Sequence, residues 1–290
     1  EKRLYKMSGC SGNCSSCSSN CDSKKQDLHI PGNPMSDVKK VIGVVSGKGG
    51  VGKSFVTSSL AVTAQTMGYQ TAILDADITG PSIPKAFGVH GPATATEEAI
   101  LPVASQTGIK IMSLNLLTAD ETDPVIWRGP VIAGTVKQFW NEVVWNEVDY
   151  MFVDMPPGTG DIQLTLVQQF SVSGSIFVCT PQQLAVADVR RAVNMFKNDQ
   201  VAVPIIGLVE NMAYFTPREL PDNKYYIFGK GGGEALAKEL DLELIAQIPI
   251  SMDISETNDT GNPIALDFSS PEAECFMELA DKITSKTIKK

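Results

Sequence analysis

Apolar positions in this chain of 290 residues follow two alternating patterns. Unbroken apolar runs at 41–45, 71–75, 109–114, 150–154, 174–179 and 205–210 predict strands, and a shorter run near 244–248 predicts another. Between them apolar residues recur every three or four positions, as over 53–67, where Val56, Leu60, Ala64 and Met67 share one face. The same helical pattern appears near 131–141 and from Ile162, Leu184, Gly233 and Pro271. Strands apolar on both sides and separated by helices predict an α/β fold, a mostly parallel sheet flanked by helices on both faces. Ligands of such sheets sit beyond the carboxyl ends of the strands. Residues 1–37 lack the pattern and read as a flexible cysteine-rich tail, with regular structure starting at Val41; residues 38–290 read as one domain.

The strand and helix at 41–45 and 53–67 are joined by Gly47-Lys48-Gly49-Gly50-Val51-Gly52-Lys53-Ser54, a phosphate-binding loop. Its glycines let backbone N–H groups turn onto phosphate oxygens, Lys53 offers a point charge to the β- and γ-phosphates, and the Ser54 hydroxyl is placed for Mg²⁺. The helix opening at Lys53 adds its positive dipole end. Residues Gly47, Lys48, Gly49, Gly50, Val51, Gly52, Lys53, Ser54 and Phe55 are the expected nucleotide contacts. The octet also satisfies the dinucleotide pattern Gly-x-Gly-x-x-Gly, with Asp75 as a mimic of the ribose-binding acid, but such a loop has no use for Lys53 and Ser54.

Two further segments follow strand ends: Asp75-Ala76-Asp77-Ile78-Thr79-Gly80-Pro81-Ser82 and Asp154-Met155-Pro156-Pro157-Gly158-Thr159-Gly160. Both have the form of switch segments. Asp154 is placed to hold Mg²⁺, with Asp75 near the metal shell, and Asp77 is placed to orient or deprotonate the attacking water. The rival reading of each acid is an Asx-turn or a helix cap. Asn211 follows the 205–210 strand, and its amide matches the donor–acceptor edge of adenine. The nearest guanine-type motif, Asn223-Lys224-Tyr225-Tyr226, lacks the acid, so ATP is favoured over GTP.

A formal charge of −9 and a pI near 4.8 argue against a nucleic-acid surface. No apolar run is long enough for a membrane span, and nothing reads as a signal peptide, so a cytoplasmic location is expected. The natural start is read as Met7 or a position upstream of Glu1.

Lys48 is not explained by cradling phosphate within one subunit. The run Lys-Gly-Gly-Val-Gly-Lys-Ser resembles the deviant phosphate loop of the MinD/ParA/nitrogenase-iron-protein class, and the resemblance implies that Lys48 reaches the nucleotide of a dimer partner; the bland alternative is a solvated loop lysine. It also implies that Asn211 contacts the base, with the segment around Pro249 nearby. With Trp127-Arg128-Gly129-Pro130, Glu210-Asn211-Met212 and Ile227-Phe228-Gly229-Lys230-Gly231-Gly232-Gly233 added, the chain from about Val38 onward resembles the Mrp (ApbC) family of iron–sulfur cluster carrier ATPases. That resemblance implies a slow homodimeric ATPase that passes a cluster to apo-proteins.

Four of the six cysteines form Cys10-x3-Cys14-x2-Cys17-x3-Cys21. Four thiolates at this spacing can ligate a 4Fe–4S cluster, with zinc and disulfides as rivals. Cys179 and Cys275 lie in apolar contexts and read as core residues. Members of the resembling family often carry Cys-Pro-x-Cys after Glu-Asn-Met; Thr216-Pro217-Arg218-Glu219 stands there, which assigns cluster carriage to the tail cysteines. Two other functions compete: a MinD/ParA-like switch with a zinc-binding tail, and an ATP-dependent reductase, for which Cys179 and Cys275 are a poor ligand set.

Overall fold

The structure is a computed structural model that describes residues 29–77, 80, 82–96, 99–117, 129–198, 201–251, 261, 263 and 270–288. Cys10, Cys14, Cys17, Cys21, Ile78, Thr79, Trp127 and Arg128 lie outside the described residues. The elements are β1 (Asp37–Ser46), α1 (Lys53–Thr66), β2 (Thr71–Asp75), α2 (Ile83–Ala86), β3 (Thr94–Ala95), β4 (Ile100–Leu101), β5 (Val103–Ala104) and β6 (Lys110–Met112). After a 3-10 turn at Leu114–Leu116 come α3 (Gly129–Asn141), β7 (Glu147–Asp154), α4 (Asp161–Gln169), β8 (Gly174–Cys179), α5 (Gln183–Phe196), β9 (Ile205–Glu210), α6 (Gly232–Glu239), β10 (Leu244–Gln247) and α7 (Pro271–Ile288).

Eight strands form one sheet in the order β10-β9-β8-β1-β7-β2-β6-β5. Every pairing is parallel except β5 with β6. The crossover from β1 to β2 runs one way along the sheet, and those from β6 to β7 and onward to β10 run the other way. Right-handed crossovers therefore put α1 on one face and α3 to α6 on the other. The packing agrees: α1 contacts α7, α3 contacts α4, and α5 contacts α6. The expected parallel sheet covered on both faces is the architecture that forms.

Strand limits follow burial. All of β2 and β8 is buried, and both match their apolar runs. The first strand starts earlier than Val41, because Asp37 to Lys40 alternate between exposed and half-buried positions at the amino edge. They still pair with β7, Asp37 opposite Glu147 and Lys40 opposite Tyr150.

Residues 29–36 are seated on the body. Ile30 donates its N–H to the Gln169 carbonyl at the end of α4 (2.9 Å), and Trp140 Nε1 donates to the Ile30 carbonyl (3.0 Å). The Trp140 ring stacks on Phe170 with centroids 5.0 Å apart. Because α4 starts after the carboxyl end of β7 and runs back, this seat lies at the amino edge of the sheet, opposite the phosphate loop.

Trp140→Phe keeps the stack and removes the indole donor. We expect a loss of about 1 kcal/mol in urea unfolding and faster protease cleavage within residues 29–36, read by mass spectrometry.

Candidate nucleotide site

The carboxyl ends of β1, β7 and β2 carry the site. Their register sets Val44 beside Asp154 and Asp154 beside Asp75, so both acids and the loop leaving Ser46 emerge at one level. The strand order reverses direction between β1 and β7, and such a reversal opens a crevice at the sheet edge.

Within the loop Gly50 (φ 79°) and Gly52 (φ 81°) are left-handed, a conformation that favours glycine. Gly52 caps α1 with no side-chain bond to the helix end, which leaves the first-turn amides facing the crevice. A β-carbon at Gly49 or Gly50 would meet nothing within 4 Å, so the cradle is open. A cavity of about 290 Å³ lies over the loop, lined by Lys48, Gly50, Lys53, Ser54, Asp77 and Pro157 among others. Open amides, a buried cation and a hydroxyl beside a carboxylate fit a nucleotide polyphosphate and its Mg²⁺.

Lys53 is only 6% exposed, with Nζ 2.8 Å from Asp154 Oδ2 and 3.4 Å from Asp77 Oδ2. Burial pulls its amine down, but Asp154 and Asp77 outweigh that and hold it above the ordinary lysine value. Ser54 Oγ donates to Asp154 Oδ2 at 2.6 Å, and Thr57 Oγ1 donates to Asp154 Oδ1 at 2.8 Å. The loop after β7 is tied back to β1 by Met155 N–H on the Val44 carbonyl and Gly158 N–H on the Ser46 carbonyl.

Asp75 is buried beside Asp154 on the neighbouring strand end and is hydrogen-bonded within the protein. Its Oδ2 accepts the Ser113 hydroxyl and its Oδ1 accepts the Asp77 N–H, both at 3.1 Å. Burial, then the negative charge of Asp154, makes it a weaker acid and lifts its pKa well above the usual carboxylate range. In this structure Asp75 holds the backbone of Asp77, whose carboxylate faces Lys53.

Asn211 donates through Nδ2 to the Val51 carbonyl at 2.9 Å, and a side chain at Gly52 would overlap its amide. It thus fastens the phosphate loop to the end of β9. The strand of Pro249 runs beside it through Ala213 N–H on the Ile248 carbonyl and Ile250 N–H on the Tyr214 carbonyl. Pro249 itself lines a separate cavity between β10 and α7, while Phe55 packs edge-on against Phe276, 5.5 Å between ring centroids. Lys48 stands half-buried at the mouth of the phosphate cavity.

Two residues escaped the sequence reading, Thr57 and Ser113, and a third, Glu210, was named there only as part of its motif. Thr57 lies four positions beyond Lys53 on α1, a helical spacing that would have found it. Ser113 comes from a neighbouring strand end and has no local signal. Glu210 is buried, accepting the Gly233 N–H and the Gln247 side-chain amide, each at 2.7 Å, so the Glu-Asn pair locks α6 and β10 on one side and the loop on the other.

A family model described as ParA, NUBPL iron-transfer P-loop NTPase, matches residues 37–284. The chain belongs to this family. A protein of Methanocaldococcus jannaschii named iron-sulfur cluster carrier protein is 43% identical over 97% of this chain and 98% of its own. Among solved structures, a nucleotide-binding protein of Archaeoglobus fulgidus in complex with ADP is 39% identical, with a TM-score of 0.69 over 81% of this chain and 90% of that one. The cell-division ATPase MinD of Pyrococcus furiosus shares the fold at 22% identity, with a TM-score of 0.61 over 85% of this chain and 99% of that one. The family is one of nucleotide hydrolases, in keeping with the phosphate loop. Among the described residues no helix is long and apolar enough to cross a membrane.

Cys179 is buried as expected, whereas Cys275, expected in the core, is half-buried at the edge of the cavity that Pro249 lines; both are free thiols. Burial, then Glu210, pushes Cys179 up to about 12, and burial, then Glu278, pushes Cys275 up to about 11. At pH 8 only about one Cys275 thiol in a thousand is ionised, and fewer of Cys179. Native alkylation with iodoacetamide at pH 8, mapped by peptide mass spectrometry, is expected to spare both, and to reach them after denaturation. Asn211→Ala leaves the Val51 carbonyl without its partner, at about 1–3 kcal/mol. We expect binding of both ADP and GDP to weaken in titration calorimetry, because the phosphate loop that both would use loses its tie to β9.

Proposed function

We propose that this chain is an ATP-hydrolysing iron–sulfur cluster carrier, working as a cytoplasmic homodimer that binds a 4Fe–4S cluster through Cys10, Cys14, Cys17 and Cys21 and passes it to apo-proteins. The observation that carries the reading is a fully assembled phosphate cage in a chain of the iron-transfer family that also bears four closely spaced thiols. The carrier name borne by the Methanocaldococcus relative supports it.

In this reading the loop amides and Lys53 bind the β- and γ-phosphates, and Ser54 and Asp154 hold Mg²⁺. When bound, Mg²⁺ neutralises charge on the phosphate oxygens. Asp77, fixed through its N–H by Asp75, orients the water that displaces ADP from the γ-phosphate. Asn211 and the Pro249 segment flank the adenine, and Lys48 reaches the partner's nucleotide, which makes turnover depend on dimer closure.

The cargo enters by covalent reach. Cys21 is nine residues from the Ile30 seat, a span of at most about 30 Å when extended. The seat at Ile30 and the phosphate loop lie at opposite edges of the sheet, and that reach is comparable with the distance between them.

Iron and acid-labile sulfide measured after anaerobic reconstitution test the reading. Roughly four of each per cluster, lost in Cys14→Ser/Cys17→Ser with ADP binding kept, is the expected result. Unchanged iron and sulfide in that variant would remove the tail from cluster binding, and a colourless zinc-loaded protein would favour a partner-positioning switch.

A further inference from the structure

Asp154 is fully buried, and its two oxygens carry different loads. Oδ2 faces Lys53 Nζ (2.8 Å) and Ser54 Oγ (2.6 Å), the pair that meets phosphate and metal. Oδ1 points the other way, to Thr57 Oγ1 at 2.8 Å. Thr57 is itself fully buried and belongs to none of the phosphate-loop motif.

Threonines inside helices commonly turn their hydroxyl onto the carbonyl four residues back. Thr57, Thr63, Thr66 and Thr287 all do so, on Lys53, Ser59, Val62 and Ile283. Among these four, Thr57 alone has a carboxylate oxygen as a second acceptor. Its hydroxyl holds one proton, and two acceptors compete for it: the Lys53 carbonyl at 3.0 Å and Asp154 Oδ1 at 2.8 Å. The helix already gives that carbonyl the Thr57 N–H. The carboxylate is charged, nearer and otherwise short of donors on that side, so the proton goes to Asp154.

We propose that Thr57 is a positioning residue for the nucleotide site: it pins Oδ1 of Asp154 so that Oδ2 is presented to Lys53, to Ser54 and to the Mg²⁺ of a bound nucleotide. This rests on the phosphate-loop reading above. A carboxylate has a broad terminal torsion, and one hydrogen bond on the far oxygen fixes it before ligand arrives. Thr57 also ties Asp154 to the turn of α1 that carries Lys53 and Ser54, so the acid, the amine and the hydroxyl form one unit.

The test is binding of a fluorescent ADP analogue to the full chain, in Mg²⁺ and in excess EDTA, for the natural protein, Thr57→Val and Thr57→Ser. Valine matches threonine in shape and lacks the hydroxyl; Thr57→Ala replaces it if valine does not fold by circular dichroism. We expect Thr57→Val to lose about tenfold to a hundredfold in Mg²⁺-dependent affinity, to match the natural protein in EDTA, and to be rescued by Thr57→Ser. An equal loss in EDTA, no loss in Mg²⁺, or no rescue by serine would overturn the proposal. Failure of the natural protein to bind the analogue at all would overturn the phosphate-loop reading, and this proposal with it.

Discussion

The buried contact between Lys53 and Asp154 sets the terms for the rest of the molecule. Withdrawing an amine and a carboxylate from water costs several kcal/mol per ion, and their attraction offsets this only if the remaining hydrogen-bonding capacity is used. Asp154 uses its capacity, taking Ser54 and Thr57 as further donors, whereas Lys53 Nζ faces Asp154 and Asp77 as ion pairs without a hydrogen bond among the described residues, so its N–H groups are left for a phosphate oxygen. Such a cage requires three strands to end at one level and a helix to begin directly above them. The parallel register of β1, β7 and β2 meets the first condition, and a loop turned by left-handed glycines meets the second.

Support for the cage extends across the sheet. The loop would be free on its outer side if Asn211 did not hold the Val51 carbonyl, and Asn211 is fixed in turn by its own N–H on the Cys179 carbonyl between β8 and β9. Next to it Glu210 binds the first turn of α6 and the side chain of Gln247 on the edge strand. A carboxylate at a helix N-terminus is favourable both as an acceptor and for the dipole. Four strands and two helices thus share the work of holding one loop, which is why a short glycine-rich segment keeps a single shape before nucleotide binds.

Much of this was legible in the sequence, and what was not has a physical reason. β2 and β8 match their apolar runs because both faces are buried along their whole length, and β9 does so with only Ile205 half-buried, so composition alone marks their ends. The amino ends of β1 and β7 were hidden, since Asp37, Lys39 and Glu147 sit where the sheet meets water. Lys53, Ser54 and Asp154 come together as their motifs imply. The roles of Asp75 and Asn211 depend on tertiary contacts, Asp75 with Ser113 on the next strand end and Asn211 with a carbonyl 160 residues away, which local pattern does not carry. The chemistry of Cys10, Cys14, Cys17 and Cys21 is legible only as spacing, and they lie outside the described residues.

The seat of residues 29–36 and the phosphate loop are held apart by the sheet itself. Phosphate loop and tail seat lie at opposite ends of strands about eight residues long, roughly 26 Å at the usual rise. The elements that run between the two ends include the central strands β1 and β7, and α4, which starts behind the Pro156-Pro157-Gly158 turn and ends at the Gln169 carbonyl that holds Ile30. β1 is locked in the centre of the sheet between β7 and β8 and has no room to shift. α4 lies on the surface layer against α3, and its first turn is joined to the turn after Asp154 by the Gln163 amide on the Pro156 carbonyl. Rigid central strands fix the distance between the seat of residues 29–36 and the phosphate loop, and α4, in the surface layer, can shift without breaking the sheet.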